Sequence, residues 1–203
     1  MFKKTVSFLV SGRGSNFQAV AEKIKTGYIK ADLGIVISDK AEAKALTIAG
    51  DFGMDSYFVN PRDFPGREAH ESEMIRLLEK YRTDLVVAAG YMRILTTFFI
   101  GKYKNRIINI HPALLPSFPG VHSQQQALDY GVKITGCTTH FIDEGTDTGP
   151  IIIQSPISVM DNDNIESLSS RILKEEHRIL SESVKLFCEG RLRINGRRVY
   201  IEK

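Results

Sequence analysis

The segment NIHPALLPSFPG, residues 109–120, ends an apolar run with two polar side chains that could act on a substrate. If the run RIINI is a strand, residues two apart share a face, so Asn109 and His111 project together. Pro112, Pro116 and Pro119 restrict the backbone that follows. The segment is therefore either a packed corner or a rigid wall beside a reaction site.

Further polar residues occur in and after the later segment ITGCTTHFI. The same two-residue period places Thr138 and His140 on one strand face, and Asp147 follows in the loop DEGTDTG. An amide, an imidazole and a carboxylate can together stabilise an oxyanion, transfer a proton and orient the imidazole. Asn109, His111 and Asp147 hence predict acyl-transfer chemistry without a protein nucleophile, since the nearby serines lie outside any GxSxG motif.

Other interpretations of the histidines stay open. A lone histidine before proline is more often a capping or packing residue than a catalyst, and a packing role is equally open for His122 and His140. A metal site would combine His111, His122, His140 and Asp147, but the HxxxH and HExxH spacings are absent.

The loop SGRGSN follows the first apolar run and favours an anion site. Gly12 and Gly14 let the backbone approach a ligand, and Ser15 and Asn16 can cap a helix whose free N–H groups attract phosphate. A dinucleotide fingerprint would place a third glycine where Phe17 stands, so a single phosphate is favoured over NAD. A tight turn with no ligand is the structural alternative.

Short apolar runs rich in Val and Ile alternate with helix-length amphipathic stretches. This order predicts an α/β fold: a Rossmann-like, mostly parallel twisted sheet with helices on both faces. Helices are predicted over 16–25, 41–52, 67–81, near 124–130 and over 165–188. Ligands bind such sheets beyond the carboxyl ends of the strands, where both segments above should lie.

The C-terminal sequence RLRINGRRVYIEK predicts a β-hairpin, because Asn195 and Gly196 separate two alternating runs. Its arginines would then lie on a solvated outer face. An RNA-binding patch is the alternative, but the net charge of +3 is too small to require a nucleic-acid partner, and we expect none.

Length and composition predict one globular domain over residues 1–203, with 42% hydrophobic and 25% charged residues. The first apolar run is too short for a secretion signal, and no span has the length of a membrane helix. Cys137 and Cys188 form no CxxC pair, so neither a disulfide framework nor a structural zinc site is expected. We expect a cytoplasmic protein without a membrane partner, either a monomer or a homodimer.

Several long motifs occur in a recognisable order: SGRGSNFQAV, AGYMRIL, NIHPALLPSFPG, HSQQQALDYGVKITGCTTHF and DTGPII. In these motifs the sequence resembles the phosphoribosylglycinamide formyltransferases, the purine-pathway enzymes that use 10-formyltetrahydrofolate. The resemblance implies the formyltransferase fold and transfer of the formyl group to the amine of glycinamide ribonucleotide. It also implies small-molecule substrates, 10-formyltetrahydrofolate as co-substrate and no metal.

The resemblance implies roles for individual residues as well. The catalytic residues would be Asn109, His111 and Asp147, with Thr138 and His140 as supporting residues. As a hypothesis, Asn109 and a protonated His111 donate to the oxyanion, while Asp147 keeps His111 charged and helps to relay a proton.

Two groups of residues would bind the substrates by the same resemblance. Those assigned to the ribonucleotide are Gly14, Ser15, Asn16 and Glu176. Those assigned to the folate are Arg67, Met92, Ile94, Leu95 and Asn109.

Three rival functions share parts of this pattern. A methionyl-tRNA formyltransferase should add a C-terminal RNA-binding domain, and a formyltetrahydrofolate deformylase should carry an N-terminal regulatory domain. A non-catalytic nucleotide-binding module would explain SGRGSN but would leave Asn109, His111 and Asp147 without a role.

Overall fold

The Val- and Ile-rich segments form the strands of one nine-stranded sheet, in the order β3-β2-β1-β4-β5-β6-β7-β9-β8. This description rests on a computed structural model and covers residues 3–202. The strands are β1 (Lys4–Val10), β2 (Ala31–Ser38), β3 (Ser56–Phe58), β4 (Leu85–Ala88), β5 (Ile107–His111), β6 (Ile134–Phe141), β7 (Ile151–Ser158), β8 (Leu192–Asn195) and β9 (Arg198–Ile201). The helices are α1 (Ser15–Lys25), α2 (Lys44–Asp51), α3 (Arg67–Lys80), α4 (Thr97–Lys102), α5 (Ser123–Tyr130) and α6 (Ile165–Cys188), with a short 3-10 helix at Pro61–Asp63.

Helices cover both faces of the sheet. On one face α1, α2 and α6 bury a cluster that includes Phe17, Ala45 and Ile179. On the other face α3 and α4 bury Met74 and Phe99. All four residues of β4 are buried, as expected for a parallel strand with a helical layer on either side. The predicted fold class is confirmed, with β1 to β5 parallel and β6 antiparallel to both of its neighbours.

The predicted helices are confirmed, with small shifts at their ends. For α6 the bounds match, because Asn164 and Ser167 form a capping box in which each side chain accepts the other residue's N–H, at 2.9 and 3.1 Å. Helix α2 begins at Lys44 rather than 41, since the Ala43 N–H closes a turn onto the Lys40 carbonyl at 3.3 Å. The sequence does not predict α4, because six residues are too few to show a helical period.

The predicted C-terminal hairpin is confirmed. Strands β8 and β9 are antiparallel, and Gly196 in the connecting turn has φ 58°. Its arginines contact the chain itself: Arg193 donates to the Glu202 carboxylate at 2.9 Å and Arg197 to the Thr148 carbonyl at 2.9 Å. Strand β9 pairs with β7, so the hairpin extends the sheet.

The strand order reverses between β1 and β4, and this is where open α/β sheets place their ligands. The loops that leave these two strands meet there, because the Ser11 N–H donates to the Gly90 carbonyl at 3.1 Å. Along residues 3–202 no helix is both long and apolar enough to span a bilayer.

Candidate active site

The register of β5 and β6 brings two predicted site residues face to face. Asn109 lies opposite His140, and the Asn109 amide donates to His140 Nε2 at 3.1 Å. His140 Nδ1 lies 2.9 Å from the Phe141 carbonyl, which can only accept, so Nδ1 carries the proton and Nε2 is free to accept. His140 is 2% exposed and therefore acts as a fixed partner that orients the Asn109 amide.

Thr138 supports the proline-rich loop rather than the cavity. Its hydroxyl donates to the Ala113 carbonyl at 2.7 Å and accepts the Leu115 N–H at 3.1 Å. The Gln154 amide donates to the Leu115 carbonyl at 2.9 Å. The segment after His111 is thus tied to β6 and β7, which makes it a rigid wall.

The loop between β6 and β7 carries Asp147 back towards β5. Gly149 permits this return, because a Cβ there would lie 1.7 Å from the Phe141 carbonyl oxygen. Within the loop Asp143 makes the local turn bonds, accepting the Gly145 N–H at 3.1 Å and the Thr148 hydroxyl at 2.6 Å. Asp147, with φ 55°, is left to make contacts across the site.

Asn109, His111 and Asp147 meet in space. Asp147 Oδ2 accepts the Gly120 N–H at 2.8 Å and lies 3.3 Å from His111 Nδ1. Asp147 Oδ1 lies 3.5 Å from the Asn109 amide nitrogen, which donates to it. His111 Nε2 lies 2.8 Å from the Phe118 carbonyl, so Nε2 carries a proton and Nδ1 faces the carboxylate.

Burial and the Asp147 charge act in opposite directions on His111. Burial lowers the pKa of His111 more than the Asp147 charge raises it, while Nδ1 faces a carboxylate that can only accept. The hypothesis that Asp147 keeps His111 charged therefore stays a prediction. Burial pushes the pKa of Asp147 upward, but the nearby imidazoles of His140 and His111 and the hydrogen bond from the Gly120 N–H hold it below its ordinary value. His111 Nδ1 therefore stands beside an ionised carboxylate.

This group borders a cavity of about 230 Å³. The facing wall comes from the loop after β4, in which Met92 is 69% and Ile94 62% exposed while Leu95 is 6% exposed. Three of the predicted folate residues thus line one cavity together with Asn109. Arg67 is not among the lining residues; its guanidinium donates to the Ile94 carbonyl.

The first loop differs from its prediction in one detail. Gly14 rather than Ser15 or Asn16 is the N-cap of α1, and no side chain caps that end. Gly14 has φ 78°, and a Cβ there would lie 2.7 Å from the Cβ of Ala45. The Asn16 amide instead donates to Glu176 at 2.8 Å, and burial raises the pKa of Glu176. These residues lie outside the lining of the 230 Å³ cavity.

Sequence reasoning missed the residue that joins the two loops. The Ser11 hydroxyl donates to Asp39 at 2.6 Å and accepts the Met92 N–H at 2.9 Å. Its position directly before Gly12 was the one available signal. Over the described chain, residues 3–202, no group of three or more His, Cys, Asp or Glu residues is arranged to hold a metal ion.

Comparison with known proteins places these features in a family. Residues 4–184 match the formyl transferase family. The phosphoribosylglycinamide formyltransferase of Escherichia coli K12 is 37% identical over 96% of this chain and 92% of its own length. A trifunctional purine biosynthetic protein of Drosophila pseudoobscura pseudoobscura is 41% identical over 94% of this chain, which spans 14% of that protein.

The fold is also similar to that of a solved structure of a related enzyme. Glycinamide ribonucleotide transformylase 1 from Symbiobacterium toebii superposes with a TM-score of 0.97 and 45% identity, over 99% of this chain and 95% of that one. The agreement of the sequence match, the strand order and the shared architecture leads to one conclusion. This chain belongs to the formyl transferase family.

Proposed function

We propose that this chain is a catalytic domain that transfers the formyl group of 10-formyltetrahydrofolate to the amine of glycinamide ribonucleotide, in purine biosynthesis. The observation that carries the proposal is the meeting of Asn109, His111 and Asp147 at a cavity whose facing wall is the apolar loop Met92–Leu95. The similarity to phosphoribosylglycinamide formyltransferases supports this choice of substrates.

The two substrates occupy different sides of the catalytic group. The folate contacts Met92, Ile94 and Leu95, with Arg67 behind them. The phosphate of the ribonucleotide lies at the open N-terminus of α1, near Gly14, Ser15 and Asn16. Glu176, held by the Asn16 amide, accepts hydrogen bonds from the ribose. The formyl carbon and the amine then meet in front of Asn109 and His111.

The contacts of His111 define the proton route. A free α-amino group has a pKa of about 7.7 to 8.0, so a useful fraction of it is already an uncharged nucleophile near neutral pH. As its nitrogen bonds to the formyl carbon, His111 Nδ1 accepts a proton from it, and Asp147 stabilises the resulting imidazolium. The Asn109 amide, aimed by His140, donates to the oxyanion. His111 then returns the proton to the departing folate nitrogen as the carbon–nitrogen bond breaks.

One assay separates this function from its rivals. The protein is incubated with 10-formyltetrahydrofolate, with and without glycinamide ribonucleotide, and loss of the formyl group is followed. We expect loss only when the amine is present, with formylated ribonucleotide as the product. Loss without the amine would identify a deformylase, and no loss in either case would identify a binding module.

A further inference from the structure

One face of α3 contacts the whole loop that walls the cavity. Arg67, Glu71 and Met74 are spaced i, i+4 and i+7, so they share that face. Arg67 donates to the Ile94 carbonyl, Glu71 accepts from Thr96, and the Tyr91 hydroxyl donates to Met74 Sδ at 3.7 Å. The loop 91–96 is therefore shaped from behind by a helix.

Glu71 makes the most unusual of these contacts. Glu71 is 4% exposed. Among residues 3–202, no Lys, Arg or His forms an ion pair with its carboxylate. Both carboxylate oxygens are used by Thr96: Oε1 accepts its N–H at 2.9 Å and Oε2 accepts its hydroxyl. Burying a carboxylate is costly, and charge-assisted hydrogen bonds offset that cost only while both are kept.

The Thr96 side chain does not cap α4, because it contacts Glu71 instead. Thr96 is the N-cap of α4, a position where a threonine hydroxyl usually accepts a backbone N–H of the first turn. Here no side chain caps α4, because the hydroxyl is turned to Glu71. The other end of the loop is tied by the Met92 N–H to Ser11.

We infer that Glu71 is a positioning residue that selects the formyl donor by fixing the shape of the wall formed by Met92, Ile94 and Leu95. It acts through Thr96 and does not line the cavity itself. The inference rests on the proposed function, because the donor is the molecule that this wall contacts.

The test uses Thr96→Val, which keeps the side chain's shape and removes the hydroxyl, with Thr96→Ser as the matched control that retains it. We expect Thr96→Val to raise the KM for 10-formyltetrahydrofolate by up to about 10-fold to 100-fold, the range that applies if the binding conformation of the loop loses the whole contribution of a hydrogen bond to a charged group. The KM for the ribonucleotide should stay within about twofold, and kcat at saturating donor should be kept. Thr96→Ser should behave like the wild type.

A second variant and a second measurement keep the result decisive. Glu71→Gln retains an oxygen for the Thr96 N–H and should raise the donor KM by less than Thr96→Val does. Amide hydrogen exchange over residues 92–96 should become faster in both Thr96→Val and Glu71→Gln, but not in Thr96→Ser.

Failure of the inference about Glu71 can be distinguished from failure of the proposed function. Unchanged donor KM and unchanged exchange in folded Thr96→Val or Glu71→Gln would overturn the role of Glu71. A uniform loss of thermal stability with no selective change in donor KM would also overturn it, since that is the result for a merely structural contact. If the wild type transfers no formyl group, the proposed function fails, while the exchange measurement still tests whether Glu71 holds the loop.

Discussion

The chemistry of His111 depends on which of its nitrogens is already used. Nε2 donates to the Phe118 carbonyl, so only Nδ1 can take a proton, and Nδ1 lies 3.3 Å from Asp147. Burial disfavours the charged imidazole, while Asp147 favours it. Asp147 is therefore placed to stabilise a proton on His111 Nδ1 during the reaction.

Replacement of Asp147 by Asn tests this pair. Asn keeps the size of the side chain and an oxygen for the Gly120 N–H, but it removes the charge that stabilises protonated His111. We expect kcat to fall by a factor of about 10² to 10⁴. By NMR, His111 should titrate below its ordinary pKa in the wild type and lower still in the variant, because Asp147 raises the pKa of His111.

The control is Asp161→Asn, which makes the same chemical change at an exposed aspartate paired with Lys133. Its activity should match the wild type, because exposed ion pairs contribute little. Near-normal turnover of Asp147→Asn, with an unmoved His111 titration, would make Asp147 a structural residue only. The local turn bonds already belong to Asp143.

Strands β5 and β6 and the loop after β4 each supply one side of the site. The antiparallel register sets Asn109 against His140 and His111 against Thr138, so a shift of either strand by one residue would turn its two side chains to the other face. The loop after β4 is not paired with a neighbouring strand, so no ladder of hydrogen bonds fixes its position. Its shape depends on contacts with Ser11 at one end and Glu71 at the other.

A charge on this loop should weaken the folate site alone. Ile94 is 62% exposed and lines the cavity, and Ile134 is 60% exposed at the start of β6, away from it. We expect Ile94→Asp to raise the KM for the folate by about tenfold or more, because it places a carboxylate against an apolar surface. The KM for the ribonucleotide should change much less.

Ile134→Asp is the matched control and should leave both constants unchanged. Leu95 would be a poor choice for this test, because it is buried in the core under α3 and α4 and a charge there would unfold the protein. A larger effect of Ile94→Asp on the ribonucleotide than on the folate would mean that the two binding sites have been assigned the wrong way round.

The whole molecule should lose stability in mild acid through His111 and His177. Burial lowers the pKa of His177 on α6, and the nearby Glu22 charge only partly opposes this. A histidine whose folded pKa is lowered is protonated first in the unfolded chain, so the free energy of unfolding falls as the pH drops below about 6.5. Burial raises the pKa of Glu176, which has the opposite effect.

The contribution of His177 is therefore measured as the difference between the wild type and a His177 variant in how the free energy of unfolding changes with pH. Urea unfolding of the wild type and of His177→Gln is compared at pH 7 and pH 5, with Glu176 and His111 unchanged in both. We expect His177→Gln to lose less free energy of unfolding between these two values. Equal losses in the two proteins would show that His177 does not titrate differently on folding. His122→Asn, at an exposed histidine, is the control and should follow the wild type.

Several features were determined by the sequence itself, because they depend on local periodicity. The alternation of Val- and Ile-rich runs with amphipathic stretches predicts the α/β sheet, and the long amphipathic stretch 165–188 predicts α6. The two-residue spacing of Asn109 and His111 is enough to place them on one face of β5. The loop chemistry at Asn195 and Gly196 predicts the hairpin.

Other features were decided only by the tertiary structure, because they depend on burial and on contacts between distant segments. Asp147 and Asn109 are 38 positions apart, and nothing local says that Asp147 reaches across the site while Asp143 closes the turn. The lowered pKa of His111 follows from desolvation, which cannot be read from the spacing of residues. The hydroxyl of Thr96 would be expected to cap α4, and only the packing of α3 turns it to Glu71.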